Sequence, residues 1–261
     1  MKIGFIGTGN MGGALARAAA KGGHTLLLAN RTPAKAAALA KELGGTVCPN
    51  AEAAEKAELL FLGVKPQGLP GLAGELAPVL QARKGNAPVV VSMATAVTLR
   101  ELDAMLGGGL PLSRSMPNTP AAVGAGTILY AAQNVTDAQL NAFRAVLAQA
   151  GLLLPLPEAQ IDAASAISGC GPAFCFQFAD ALALGGVRAG LSYPDACRLA
   201  AQTMLGAAEM LLQGGEAPDV LKMRVCSPAG TTIEGVLALE QGGFSYTVQN
   251  AVTAAYRRTV E

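Results

Sequence analysis

Through the first 155 residues, short apolar runs alternate with segments whose apolar residues recur at helical spacing. Residues 2–6, 25–29, 59–64, 89–92, 110–114, 126–130 and 152–154 predict strands. Residues 10–21, 33–43, 69–82 and 98–105 predict helices, as does the stretch after Thr136, where Gln139 completes a capping box. Strands this apolar are covered on both faces, so the alternation predicts a parallel sheet between helical layers. After Pro155 and Pro157 no convincing strand follows. Helices are expected at 158–189 with a break at 168–172, then at 192–213, 217–224, 231–240 and 245–258. The first two are apolar on more than one face, with few charges between Asp162 and Glu209. Helices of that kind must be buried, and about one hundred residues of helix cannot bury them alone. The pattern therefore predicts an α/β N-terminal domain (1–157) with a mostly parallel sheet, followed by an all-α C-terminal dimerisation domain (158–261). The latter is expected to exchange or interlock helices with a second copy, giving a homodimer, a compact monomeric bundle being the alternative.

The first strand runs into Gly7-Thr8-Gly9-Asn10-Met11-Gly12, a GxGxxG turn that opens a helix. Gly7 allows the tight turn, Gly9 lets backbone approach a pyrophosphate, and Gly12 lets the helix pack against the strand. The helix then aims free amides and the positive end of its dipole at the phosphates. The second strand ends in Asn30-Arg31-Thr32, where a carboxylate would favour NAD. Arg31 opposite a 2′-phosphate, with Asn30 and Thr32 as donors, reads as a preference for NADP(H), NAD(H) being admitted. Thr32-Pro33 also reads as a helix cap with proline at the first helical position, and the two roles are compatible.

Composition narrows the picture. The 261 residues are 51% hydrophobic and 14% charged with net charge +1, which speaks against nucleic-acid binding. Five cysteines without a CxxC pair suggest a reducing, cytoplasmic setting and no metal. The low-charge stretch 161–187 holds Asp162, Gln177 and Asp180, so no membrane span is expected.

Further motifs stand at strand ends. Val64-Lys65-Pro66-Gln67 and the small residues Ser92-Met93-Ala94-Thr95-Ala96 suit the nicotinamide half of a cofactor. Lys65 reads equally well as an exposed loop lysine. Asn118, in Met116-Pro117-Asn118-Thr119-Pro120, is a candidate hydrogen-bonding group for cofactor or substrate. In the helical part, Ser168-Gly169-Cys170-Gly171-Pro172 interrupts a helix and offers amides to an anion. Ser227-Pro228-Ala229-Gly230-Thr231-Thr232 opens a helix and suits a carboxylate, although capping by Ser227 or Thr231 explains the same residue types. The single histidine, His24, lies between the first helix and second strand, away from the crevice. Without a histidine or lysine acid, reduction of a carbonyl is disfavoured and reduction of an iminium carbon is not, because hydride there neutralises charge.

These residues, with Asn50, Ala173-Phe174 and 225–232, resemble pyrroline-5-carboxylate reductases over nearly the whole chain. The resemblance implies NAD(P)H-dependent reduction of L-1-pyrroline-5-carboxylate to L-proline, the closing step of proline biosynthesis. It also implies a Rossmann-type N-terminal domain and interlocked dimers, which in some members assemble into rings. Carried over, Gly7 to Met11 hold the pyrophosphate and Asn30-Arg31 the 2′-phosphate. Asn50 contacts the adenosine side, and Lys65 with Pro66 the nicotinamide side. Ser227, Gly230, Thr231 and Thr232 bind the substrate carboxylate, with Thr232 beside the ring nitrogen. Glu216 resembles a family acid at a one-residue offset. Two departures stand out: Cys170 where serine is usual, and Ala229 for the first glycine of Pro-Gly-Gly. A β-hydroxyacid dehydrogenase would need a catalytic lysine after the domain junction, and none lies between Lys84 and Lys222. A non-enzymatic NADP-binding sensor would leave the 227–232 turn without work.

Overall fold

The computed structural model describes residues 1–83 and 85–261. The elements run β1 (Lys2–Ile6), α1 (Asn10–Ala20), β2 (Thr25–Ala29), α2 (Pro33–Leu43), β3 (Thr46–Val47), α3 (Asn50–Lys56), β4 (Leu59–Leu62) and α4 (Leu69–Ala82). They continue with β5 (Val89–Ser92), α5 (Leu99–Met105), β6 (Leu112–Pro117), β7 (Gly126–Gln133), α6 (Asp137–Leu147) and β8 (Gly151–Pro155). Six helices follow: α7 (Glu158–Ser168), α8 (Gly171–Arg188), α9 (Tyr193–Gly214), α10 (Pro218–Val225), α11 (Thr231–Gln241) and α12 (Phe244–Val260).

The eight strands form one sheet in the order β3-β2-β1-β4-β5-β6-β7-β8. Among the described residues only β6 and β7 pair antiparallel, because a short 3-10 turn (Thr119–Val123) joins them and leaves no room for a crossover helix. The mostly parallel sheet expected from the apolar runs is present. Its residues alternate between two cores. Ile3 and Phe5 face one, where Phe5 stacks on Phe61 at 4.7 Å and Phe143 follows at 6.4 Å. Ile6, Leu60 and Leu62 face the other, against Leu69, Leu76 and Leu102.

Several boundaries differ from the sequence reading. The two-residue strand β3 and the seven-residue helix α3 went unpredicted: β3 is too short to display a period, and the apolar residues of α3 are alanines only. The strand expected at 110–114 runs instead at Leu112–Pro117, and β4 stops at Leu62, leaving Val64 in the loop.

The chain divides into two compact units, residues 1–170 with 256–261, and residues 171–255. Helix α7 therefore goes with the sheet. Ile161 is fully buried in the second core, and Arg114 Nη2 donates to Asp162 Oδ1 at 2.5 Å. At the other end of α7, Asn118 Nδ2 donates to the Ser168 carbonyl at 2.8 Å. In the second unit, α8 and α9 pack at a close crossing, where a Cβ on Gly186 would meet Ala196 Cβ at 3.1 Å. Ser192 caps α9 by accepting from the Asp195 N–H, and Tyr193 donates to Asp180. No residue of α10, α11 or α12 is buried. Most exposed large apolar side chains of the protein lie beyond residue 158, Phe176 at 69% and Leu212 at 80% among them.

Candidate active site

The glycine turn lies at the carboxyl end of β1, in the middle of the sheet. Its Gly7 N–H donates to the Ala29 carbonyl of β2, and the Gly63 N–H after β4 donates to Ile6, so the loops of three strands are tied together. A Cβ on Gly12 would stand 2.0 Å from the Gly7 carbonyl oxygen, and one on Gly7 would meet Gly63 O at 2.5 Å. A Cβ on Gly9, by contrast, would meet nothing within 4 Å. That open space lies at the amino end of α1, whose N-cap Gly9 supplies no side chain to its free amides. Thr8 Oγ1 is buried there without a hydrogen-bond partner. An uncapped helix start, an open position over the turn and an orphan hydroxyl suit a dinucleotide pyrophosphate.

Asn30 braces this turn. Its Oδ1 accepts from the Thr8 N–H at 3.1 Å and its Nδ2 donates to the Thr32 carbonyl at 3.0 Å. Arg31 is exposed beside it, and Thr32 is the N-cap of α2 without using its hydroxyl on the helix. Both the capping position and a free hydroxyl are thus found at Thr32. Asn50, at the start of α3, donates to Glu75 Oε2 at 3.0 Å.

Lys65 is exposed at the start of a 3-10 turn (Pro66–Gly68), and half-buried Val64 rests against the second core. Ala94 is 1% exposed with its methyl in that core, so it offers a ligand main-chain atoms only. The loop after β5 contains Ala96 at φ 58° and ends in a capping box between Thr98 and Glu101. The Thr98 N–H and hydroxyl hold the Glu101 carboxyl below the usual carboxylate range. Asn118 is buried with both ends of its amide engaged, Oδ1 accepting from the Thr127 N–H and Nδ2 serving Ser168. Its visible work is bracing.

In the second unit, the Gly230 N–H donates to the Ser227 carbonyl at 3.0 Å, closing a turn with Pro228 and Ala229 at its centre. Ala229 has φ 56°, the left-handed sign that marks a type II turn at its third position, with proline at the second. Helix α11 starts at Thr231 with Gly230 as N-cap, so the hydroxyl cap by Ser227 or Thr231 is not formed. A Cβ on Gly230 would lie 2.3 Å from Ser227 Oγ. Thr231 and Thr232 are exposed in the first turn, beside amides that no side chain caps. Upstream, Arg224 makes a two-pronged pair with Glu216 at 2.5 and 2.6 Å.

At Ser168–Pro172, the Gly169 and Cys170 amides both donate to the Ser165 carbonyl, at 2.8 and 3.3 Å, so these two are not offered to an anion. The break shortens to two residues, with Pro172 already inside α8. Half-buried His24 stands just before β2, at the sheet end opposite the glycine turn. A concavity of ≈ 820 Å³, lined by Lys2, Glu58 and Arg83, lies at that end too.

Residues 158–261 match the family model described as pyrroline-5-carboxylate reductase dimerisation, and residues 2–96 match the model described as NADP oxidoreductase coenzyme F420-dependent. A pyrroline-5-carboxylate reductase from Synechocystis is 42% identical over 81% of this chain and 78% of its own length. The chain belongs to the pyrroline-5-carboxylate reductase family. Among solved pyrroline-5-carboxylate reductases, that of Coxiella burnetii is 32% identical with TM-score 0.90, covering 98% of this chain and 96% of the other. The Plasmodium falciparum enzyme, solved with NADP bound, is 30% identical with TM-score 0.87 over 99% and 98%.

Membership in the pyrroline-5-carboxylate reductase family accounts for the unburied helices, which lie in the stretch matched by the dimerisation model. The segment Glu158–Arg188 is long and apolar enough to cross a membrane by length and composition, but it lies within that same stretch. Sequence reasoning missed the bracing residues Arg114, Glu158 and Asp162. An arginine in a strand of the sheet was the available signal, because a buried guanidinium needs carboxylates.

Proposed function

We propose that the crevice at Gly7–Gly12 holds NAD(P)H and that the Ser227–Thr232 turn takes the substrate carboxylate, in the reduction of L-1-pyrroline-5-carboxylate to L-proline. The observation that carries the first half is the uncapped start of α1 under the open Gly9 position. When bound, the dinucleotide supplies a hydride to C5 of the imine. Thr8, Gly9, Asn10 and Met11 bind its pyrophosphate, while Arg31 meets the 2′-phosphate and makes NADPH the preferred form. Asn30 fixes the turn through Thr8. Asn50 lies toward the adenosine, and Val64, Lys65, Pro66, Ala94 and Asn118 line or brace the nicotinamide side.

The Ser227, Thr231 and Thr232 hydroxyls and the Gly230 and Thr231 amides orient the substrate carboxylate. Thr232 is also the hydrogen-bond partner of the ring nitrogen. The imine nitrogen carries a proton before transfer, so addition at C5 removes positive charge and no strong acid is required. Glu216, held by Arg224, steadies the approach to the turn. Homodimers with interlocked C-terminal helices complete the site, higher rings being a further association of dimers, and the enzyme works in the cytoplasm.

Mixing the protein with NADPH and the imine is expected to discharge the nicotinamide absorbance. No loss from an intact dimer sinks the assignment. Thr232→Ala is expected to raise KM for the imine or lower kcat about tenfold, the worth of one hydrogen bond to a charged group, with NADPH affinity unchanged. Light scattering separates dimer from ring.

A further inference from the structure

The 93–98 loop lies between β5 and α5 at the carboxyl end of the sheet, and Ala96 within it has φ 58°. A left-handed alanine persists only where its surroundings hold it. Two anchors are visible. At the start of the loop the Ala94 N–H donates to buried Ser92 Oγ at 3.3 Å. At its end the Leu99 N–H, first in α5, donates to Glu158 Oε1 at 2.6 Å. Glu158 comes from α7, fifty-nine positions along the chain.

Glu158 is itself held. The Arg114 guanidinium lies 3.7 Å from Glu158 Oε1 and also donates to Asp162 one turn further along α7. Arg114 is 2% exposed, and its Nε has no partner, so the side chain contributes through these two carboxylates. Such a cluster strongly penalises loss of one member, because a buried charge is left uncompensated. The geometry also puts a carboxylate on the positive end of α5, where it is favourable.

We propose that Glu158 is a positioning residue for the nicotinamide loop: fixed by Arg114 and Asp162, it caps Leu99 and keeps residues 93–98 in the shape that receives the cofactor. This rests on the cofactor crevice proposed above. Residue 158 is also where the match to the dimerisation model begins, so the same side chain links that stretch to the cofactor loop.

The test measures NADPH dissociation constants and both KM values for Glu158→Ala and Glu158→Gln in the dimeric enzyme. Glu158→Ala is expected to weaken NADPH about tenfold and leave KM for the imine within about twofold. Glu158→Gln keeps an oxygen for the Leu99 N–H and is expected to restore affinity to within about threefold of the parent. A Glu158→Ala protein that melts earlier yet binds NADPH as the parent does overturns the proposal, and so does a glutamine variant no better than alanine. Should Glu158→Ala fail to fold, amide exchange of the parent decides. Residues 93–99 must be protected in the free enzyme and more so with NADPH, and rapid exchange in both states overturns it. Gly12→Val separates this inference from the crevice itself. If that variant binds NADPH normally, the crevice assignment falls. If it does not while Glu158→Ala does, only the role of Glu158 falls.

Discussion

The two units use apolar residues in opposite ways. In the sheet unit, Phe61 is fully buried, stacked against Phe5 and packed near Phe143. In the helical unit, Phe176 is 69% exposed, and the last three helices bury nothing. The first unit satisfies its side chains within one chain. The second carries a surface completed by another copy, so its stability is tied to protomer concentration. The sites differ in the same sense. The glycine turn is cross-braced by backbone and by Asn30, whereas the Ser227–Thr232 turn is held by one local hydrogen bond and lies open.

Truncating a ring in the sheet core probes the comparison hardest. Phe61→Ala is expected to cost about 3–5 kcal/mol in chemical denaturation, independent of protein concentration. The same change at Phe176 in an isolated subunit would cost under about 0.5 kcal/mol. If both prove equal and concentration-independent, the contrast between the units is wrong.

Next in size is a charge on the helical surface. Leu199 is 57% exposed beside Leu182 and Leu191. Leu199→Asp is expected to weaken the dimer by about 2 kcal/mol or more, read by sedimentation across a dilution series. A harmless change would place the interface elsewhere.

Within the sheet unit, Arg31→Ala is expected to lower the preference for NADPH over NADH about tenfold in kcat/KM, the effect of losing one charge-assisted contact. A variant that loses both cofactors equally would assign Arg31 to the adenosine common to both.

How much of this was legible follows from the same contrast. Strands buried on both faces wrote themselves as apolar runs, and the turn at Gly7–Gly12 announced its own close packing. Helices apolar all round told of a partner, because about one hundred residues of helix cannot cover them alone. What escaped was either short or relational. Two-residue β3 has no period to read. Asn118 and Asn30 read as candidate ligand-binding groups, and each has one bracing partner far along the chain, Ser168 for Asn118 and Thr8 for Asn30. The Arg114–Asp162 pair spans forty-eight positions, which no local pattern encodes. At Ser168–Pro172 the break was visible, but not that the Ser165 carbonyl would take both amides.

The smallest effect concerns the open turn. Ala229 holds φ 56°, where an alanine is strained and a glycine is not, by about 1 kcal/mol. Ala229→Gly relieves that strain but enlarges the freedom of the unfolded chain, which returns about 0.4–1 kcal/mol. The net expectation is a gain of at most about 1 kcal/mol, seen as a small rise in the denaturation midpoint. An exposed helical alanine such as Ala207 gives the opposite sign, since glycine there costs about 1 kcal/mol. The Gly230 to Ser227 hydrogen bond remains possible in the variant, so Thr231 and Thr232 keep their place and KM for the imine is expected to stay within about twofold. A rise in KM with the gain in stability would show that the methyl group stiffens the turn for its ligand. Strain would then be part of the site, and the open turn would be less loosely held than its single hydrogen bond implies.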